Sequence, residues 1–152
     1  MDNVISIREA VEADYPAICK LINNELGYPD VTTEALSDRM KKMQRAGNYQ
    51  TFVAVMRGVV VGFIGIAQEL GYEISGEYLR IIALAVSSEH QNKGIGSKIL
   101  RHVESIAHQN GVSYFTLSSS MYRTAAHAFY ERNGYMKKSY SFSKGLKNKW
   151  KD

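Results

Sequence analysis

The residues best placed to do chemistry are Gln91-Asn92-Lys93-Gly94-Ile95-Gly96, with Ser97 behind them. The apolar run Leu79 to Val86 precedes this hexapeptide. After it come Ile95, Ile99, Leu100, Val103, Ile106 and Ala107, spaced as one face of a helix. The pattern predicts a buried strand, a polar loop from Ser87 to Lys93, and then the mouth of a helix. A helix mouth attracts anions because its first N–H groups lack partners inside the helix and the dipole adds positive charge there. Glycine, having no Cβ, lets a phosphate approach the backbone closely. Two nucleotide-binding signatures are excluded. No GxxxxGK[ST] string occurs, and the residue three after Gly96 is Ile99, where a Rossmann turn needs glycine. What stands is Q-x-x-G-x-G, which read alone is also compatible with an ordinary strand-to-helix turn.

Composition limits the other possibilities. The 152 residues, 45% hydrophobic and 22% charged, suit a soluble globule able to bury its own core. No run approaches the roughly 18 apolar residues of a membrane helix, so no membrane partner is expected. The N-terminal MDNVISIREA lacks the pattern of a secretory signal, and the expected location is cytoplasmic. The one cysteine, Cys19, falls on an apolar helix face and reads as a buried thiol. The net charge of +4 reflects a C-terminal cluster of Lys137, Lys138, Lys144, Lys147, Lys149 and Lys151, read as a solvated tail rather than a nucleic-acid surface. No metal is expected, since His90, His102, His108 and His127 show no ligand spacing.

The elements that must position the loop follow from periodicity. Val4 to Arg8 alternates as a first strand. Asp14 is placed to cap a helix containing Pro16, Ile18, Cys19, Ile22 and Leu26, with Gly27 after it. Thr32 or Thr33 caps a second helix that Gly47 and Asn48 break. Tyr49 to Met56 and Val59 to Gln68 form a hairpin around Arg57-Gly58, and Gly62 and Gly65 mark a bulge or a close backbone approach. The fourth strand begins near Tyr78, and Tyr114 to Ser118 is a fifth. Thr124 opens a helix that Gly134 stops. Tyr135 to Lys144, where Tyr140 and Phe142 alternate with serines, reads as a last strand or strand pair. The order is β-α-α-β-β-β-α-β-α-β, an α/β (α+β) mixed sheet with helices on both faces. One domain spans 1–146, and 147–152 is a frayed basic tail.

This order, the Q-x-x-G-x-G loop and the late Ala128-Phe129-Tyr130-Glu131-Arg132-Asn133-Gly134-Tyr135 together resemble the GCN5-related N-acetyltransferase (GNAT) superfamily. The resemblance implies acetyl-CoA as co-substrate and a mostly antiparallel sheet splayed between strands four and five to admit the pantetheine arm. It places the pyrophosphate on backbone amides of Gln91, Asn92, Lys93, Gly94, Ile95, Gly96 and Ser97, and the pantetheine on the backbone of Leu84, Ala85 and Val86. Ser119 and Arg123 join the cofactor site, and the Tyr130 hydroxyl protonates the departing thiolate. Some members carry a glutamate on strand four, but here those positions read Arg80, Ile81, Ile82 and Ala83. Glu77 and Tyr78 are then the candidate general bases, directly or through water, with Glu73 and Glu69 behind them.

A local R-x-x-A-H-x-F-Y pattern, from Arg123 through His127 to Tyr130, is similar to the aminoalkylphosphonate and aminoglycoside-type branch. The implied acceptor is the primary amine of a small molecule, in a pocket lined by Tyr28, Tyr72 and Glu73. A protein or peptide amino group, or a non-catalytic acyl-CoA sensor, are the alternatives. Relatives in the family often form homodimers.

Overall fold

A computed structural model of the chain describes residues 4–147; Lys149 and Lys151 of the expected tail lie outside the described residues. The chain divides into two compact units, one ending at Leu117 and the other starting at Ser118.

The first unit holds five strands: β1 (Ile5–Glu9), β2 (Tyr49–Met56), β3 (Val59–Leu70), β4 (Glu77–Val86) and β5 (Phe115–Leu117). They lie in the order β1-β2-β3-β4-β5, antiparallel except for the parallel β4–β5 pair. Helices α1 (Tyr15–Asn24) and α2 (Thr33–Ala46) cover one face, where Ile18, Leu21, Leu36 and Met40 pack with Val53, Phe63 and Ala85. Side chains alternate across a strand, so Phe52 and Gly62 face the other way. There α3 (Ile95–Gln109) lies: the Phe52 ring meets His102 edge-on at 5.3 Å, and a Cβ at Gly62 would come 3.1 Å from Ile99. Of the apolar face predicted for α3, Ile95, Ile99, Leu100, Val103 and Ala107 are buried and Ile106 is half-buried.

Local chemistry sets the joints. Arg57 and Gly58 both take positive φ, 53° and 76°, as the type I′ turn of a two-residue hairpin requires. Thr32 caps α2, accepting from Ala35 N at 3.1 Å, and Gly47 closes it at φ 83°. Cys19 is buried, and its thiol donates to the Val31 carbonyl at 3.2 Å. The Asn23 amide donates to the Tyr28 and Val31 carbonyls at 2.8 and 3.0 Å, fixing the α1–α2 connection. The two glycines of β3 differ in role. Gly62 is a close approach, since an added Cβ would meet the Ala85 carbonyl at 3.0 Å, whereas one at Gly65 would meet nothing within 4 Å.

The second unit contains α4 (Thr124–Arg132), which stops at Asn133 and a left-handed Gly134 (φ 89°). Tyr130 lies against Phe129 and Tyr135, with ring centroids 5.3 and 5.9 Å away. The strand expected over Tyr135 to Lys144 is not formed. Alternation marks a strand only when one face is buried, and Tyr140 and Phe142 are 83% and 93% exposed.

Asp14 corrects another expectation. It stands at the N-cap of α1, yet its side chain makes no cap bond there. The carboxylate instead accepts from Arg8 at 2.7 and 3.0 Å and from Val11 N at 2.8 Å. The guanidinium holds this buried carboxyl below the ordinary range. The folded chain therefore binds the Asp14 proton more weakly than the unfolded chain does. The stabilisation is complete above the unfolded carboxylate value of about 4 and is lost as pH falls through the lower folded value. In urea titrations across this range, Asp14→Asn should weaken the acid-side loss of stability seen in the parent; parallel curves would show that Asp14 contributes none of it.

Candidate functional site

The first unit gathers its unsatisfied backbone at the end of β4. Over its first half this strand has neighbours on both sides, pairing with β5 at Leu79↔Phe115, Arg80↔Thr116 and Ile81↔Leu117. The β4–β5 register ends there, and among the described residues β4 continues to Val86 against β3 alone. The change coincides with a bulge. Gly65 pairs with Ala83 and Ile66 with Ile81, so Ile82 is an extra residue that bends the strand.

The loop that follows is built around backbone conformations that glycine supports. Asn92 (φ 64°) and Gly94 (φ 79°) are left-handed, and no side chain caps α3. The first inward bond at the helix start runs from Lys98 N to the Gly94 carbonyl at 3.0 Å. The amides of Ile95, Gly96 and Ser97 thus have no helical acceptor and stand at the positive end of a 15-residue helix. Gln91, Asn92, Lys93 and Gly94 are exposed around this mouth. That is a fit for a diphosphate: donors from backbone, no side chain in the way, and one lysine at the rim.

A residue absent from the sequence reading organises the loop. Glu25, just past α1, accepts from Ser88 N at 2.9 Å and from Gln91 Nε2 at 3.4 Å. Gln91 Nε2 also donates to the Val86 carbonyl at 3.0 Å. The Gln91 side chain therefore braces the turn after β4 instead of reaching outward. No motif flags Glu25, because its partners lie 63 and 66 residues away.

The carboxylates considered as bases are not gathered here. Glu77 opens β4, nine residues before Val86. At about 3.3 Å per residue that is roughly 30 Å along the strand, so the structure does not bring Glu77 to the loop. Glu69 accepts from Arg80 Nη2 and Nε, at 2.9 and 3.1 Å, and from the Tyr78 hydroxyl at 3.1 Å. These bonds, Arg80 foremost, hold Glu69 below the usual carboxylate range and leave it a poor proton acceptor. Arg80 has taken a strand-four position where a carboxylate was sought, and the acid sits paired on β3.

A cavity of about 260 Å³ opens between α1, α2 and the sheet, lined by Ile22, Tyr28, Met43, Gly65, Ile82 and Ala83 among others. Tyr28 is on its wall. Tyr72 and Glu73 are not, and Tyr72 is fully exposed on the β3–β4 connection.

In the second unit, burial raises the Tyr130 hydroxyl above the ordinary tyrosine range, with nearby Arg123 pulling weakly the other way. The phenol is neutral at any physiological pH and able to donate. His127 Nε2 lies 2.8 Å from the Ser120 carbonyl, which makes it a packing histidine. The Ser119 hydroxyl is buried without a hydrogen-bond partner among the described residues, a state that a polar ligand atom would relieve. Among those residues no set of side chains could hold a metal ion, and no helix is long and apolar enough to cross a membrane.

Known proteins share this fold. The profile of the acetyltransferase (GNAT) family matches residues 7–135. The chain is 31% identical to the aminoalkylphosphonate N-acetyltransferase of Salmonella typhimurium over 94% of its own length and 92% of that protein's. The crystal structure of a GNAT family acetyltransferase from Staphylococcus aureus superposes with a TM-score of 0.78 at 28% identity, covering 93% of this chain and 98% of that one. An aminoglycoside N-acetyltransferase, AAC(6')-Iy, crystallised in complex with CoA, superposes at 0.81 with 14% identity over 96% of this chain and 97% of its own, a likeness of fold alone. The chain belongs to the acetyltransferase (GNAT) family and is an acyl-CoA-dependent N-acetyltransferase.

Proposed function

We propose that the protein moves the acetyl group of acetyl-CoA to the primary amine of a small molecule by direct attack in a ternary complex. The observation that carries this reading is the second half of β4. It is a strand with one free side, ending in a turn that leads to uncapped amides at the mouth of α3. The amides from Gln91 to Ser97 are suited to the diphosphate. Backbone groups of Leu84, Ala85 and Val86 on the free side are suited to the amide-bearing arm; the Val86 carbonyl is already engaged by Gln91. An N–H on this stretch would polarise the thioester oxygen as charge develops there. Ser119 and Arg123 are the further contacts proposed from the second unit.

In the transfer, the amine lone pair attacks the carbonyl carbon, a C–N bond forms and the C–S bond breaks. The leaving thiolate takes its proton from Tyr130, which recovers one from solvent, and the proton of the new ammonium passes to water. With Glu77 distant and Glu69 paired, no carboxylate base is assigned, and the acceptor enters as the free amine.

Tyr130→Phe should lower kcat roughly a hundredfold or more while leaving acetyl-CoA affinity unchanged, measured by release of free CoA thiol and by calorimetry. An unchanged kcat would remove Tyr130 from the mechanism. Bound acetyl-CoA with no thiol release from any amine would identify a non-catalytic acyl-CoA module. Glu25→Ala should raise KM for acetyl-CoA roughly fivefold, as expected for about 1 kcal/mol of lost loop restraint, with kcat little changed and partial recovery in Glu25→Gln. Loss of kcat at constant KM would instead give Glu25 a part in the chemistry.

A further inference from the structure

The cavity beside β4 points to the kind of amine. Its floor is a row of small residues running across three strands, with Thr51 on β2 paired to Gly65 on β3 and Gly65 paired to Ala83 on β4. All three face α1 and α2. The neighbouring row on that face, Val53, Phe63 and Ala85, belongs to the core, and Phe63 bounds the cavity on that side. At Gly65 the space is empty: an added Cβ meets no atom within 4 Å, although the backbone there is ordinary strand that any residue adopts. The walls are mostly apolar, with Ile22, Leu26 and Met43 on the helix side and Ile82 from the bulge, and Tyr28, Tyr49 and Gln50 also line the space. Arg39 is the one charged side chain among the lining residues, and it is exposed.

Position ties the cavity to the reaction. Ala83 lies two residues before Ala85, about 7 Å along the strand, so a molecule seated over Ala83 holds its end within reach of the stretch assigned to the thioester. At about 260 Å³ the space admits one compact apolar body. A polyhydroxylated sugar or a phosphonate would lose hydration here and recover few hydrogen bonds.

We infer that the acceptor is a small primary amine with an apolar body, aryl-alkyl or branched alkyl, seated in this cavity with its amino group at the β4 side. The inference rests on the acetyl-transfer reading above and specifies its acceptor. It is tested by comparing phenethylamine and isoamylamine with aminoethylphosphonate and glucosamine in a CoA-release assay, alongside thermal shift with millimolar phenethylamine. Counted on the unprotonated amine, the apolar amines should show kcat/KM at least about tenfold higher, the difference that burying one or two extra methylenes produces. Phenethylamine should also raise Tm. Gly65→Val fills the floor from the sheet and Met43→Trp fills the space from α2. Each folded variant should lose the Tm shift and raise KM for phenethylamine about tenfold or more, with acetyl-CoA affinity unchanged. A higher kcat/KM on the same basis for aminoethylphosphonate or glucosamine overturns the inference, as does an unaltered phenethylamine response in both variants, which would make the cavity an inert void. Absence of acetyl-CoA binding to the parent protein fails the underlying reading instead, and the phenethylamine Tm shift still reports on the cavity.

Discussion

Everything in the first unit turns on β4 being held by two neighbours for half its length and by one thereafter. A strand with partners on both sides has no backbone groups to offer. One with a single partner retains a row of amides and carbonyls that must find water or a ligand. The transition falls at Ile82, where the bulge also removes a residue from the β3 ladder. The strand bends where it becomes available, and the apolar floor of the cavity lies beside that bend.

The cost of leaving backbone open is met by packing on both faces. Below the open half, Ile95, Ile99, Leu100 and Val103 are almost wholly buried, so the helix whose mouth stays uncapped is anchored by its apolar side. Above it, α1 supplies Ile18 and Leu21 to the core and Glu25 to the turn after β4. A loop rich in glycine and polar residues has little stability of its own. Here it is fixed by a carboxylate bond to Ser88 N and by the Gln91 bridge between Glu25 and Val86.

What could be read from the sequence was what depends on neighbours in the chain. The period of α3, the positive-φ pair at Arg57-Gly58, the Thr32 cap and the helix-opening glycines are local choices, and each appears as expected. The close approach at Gly62 was likewise marked by a glycine inside a strand. Long-range pairing was not legible. Glu25 contacts a turn more than sixty residues away, Asp14 turns from its own helix toward Arg8, and Glu69 is neutralised from the adjacent strand. The alternation at Tyr140 and Phe142 misled because periodicity shows which residues share a face, not whether anything covers it. The cavity beside β4, which takes its walls from two helices and three strands, has no local signature in the chain.

The Glu69–Arg80–Tyr78 cluster has a wider consequence. A carboxylate gripped by a guanidinium and a phenol keeps its charge into acid solution and accepts protons reluctantly. If no side chain strips the incoming ammonium, the supply of reactive nucleophile is governed by the acceptor's own acidity. Among acceptors that fit the cavity alike, rates would then rise with how much of each is unprotonated in the surrounding medium, so that ambient pH, rather than a tuned residue, sets the tempo of acetylation.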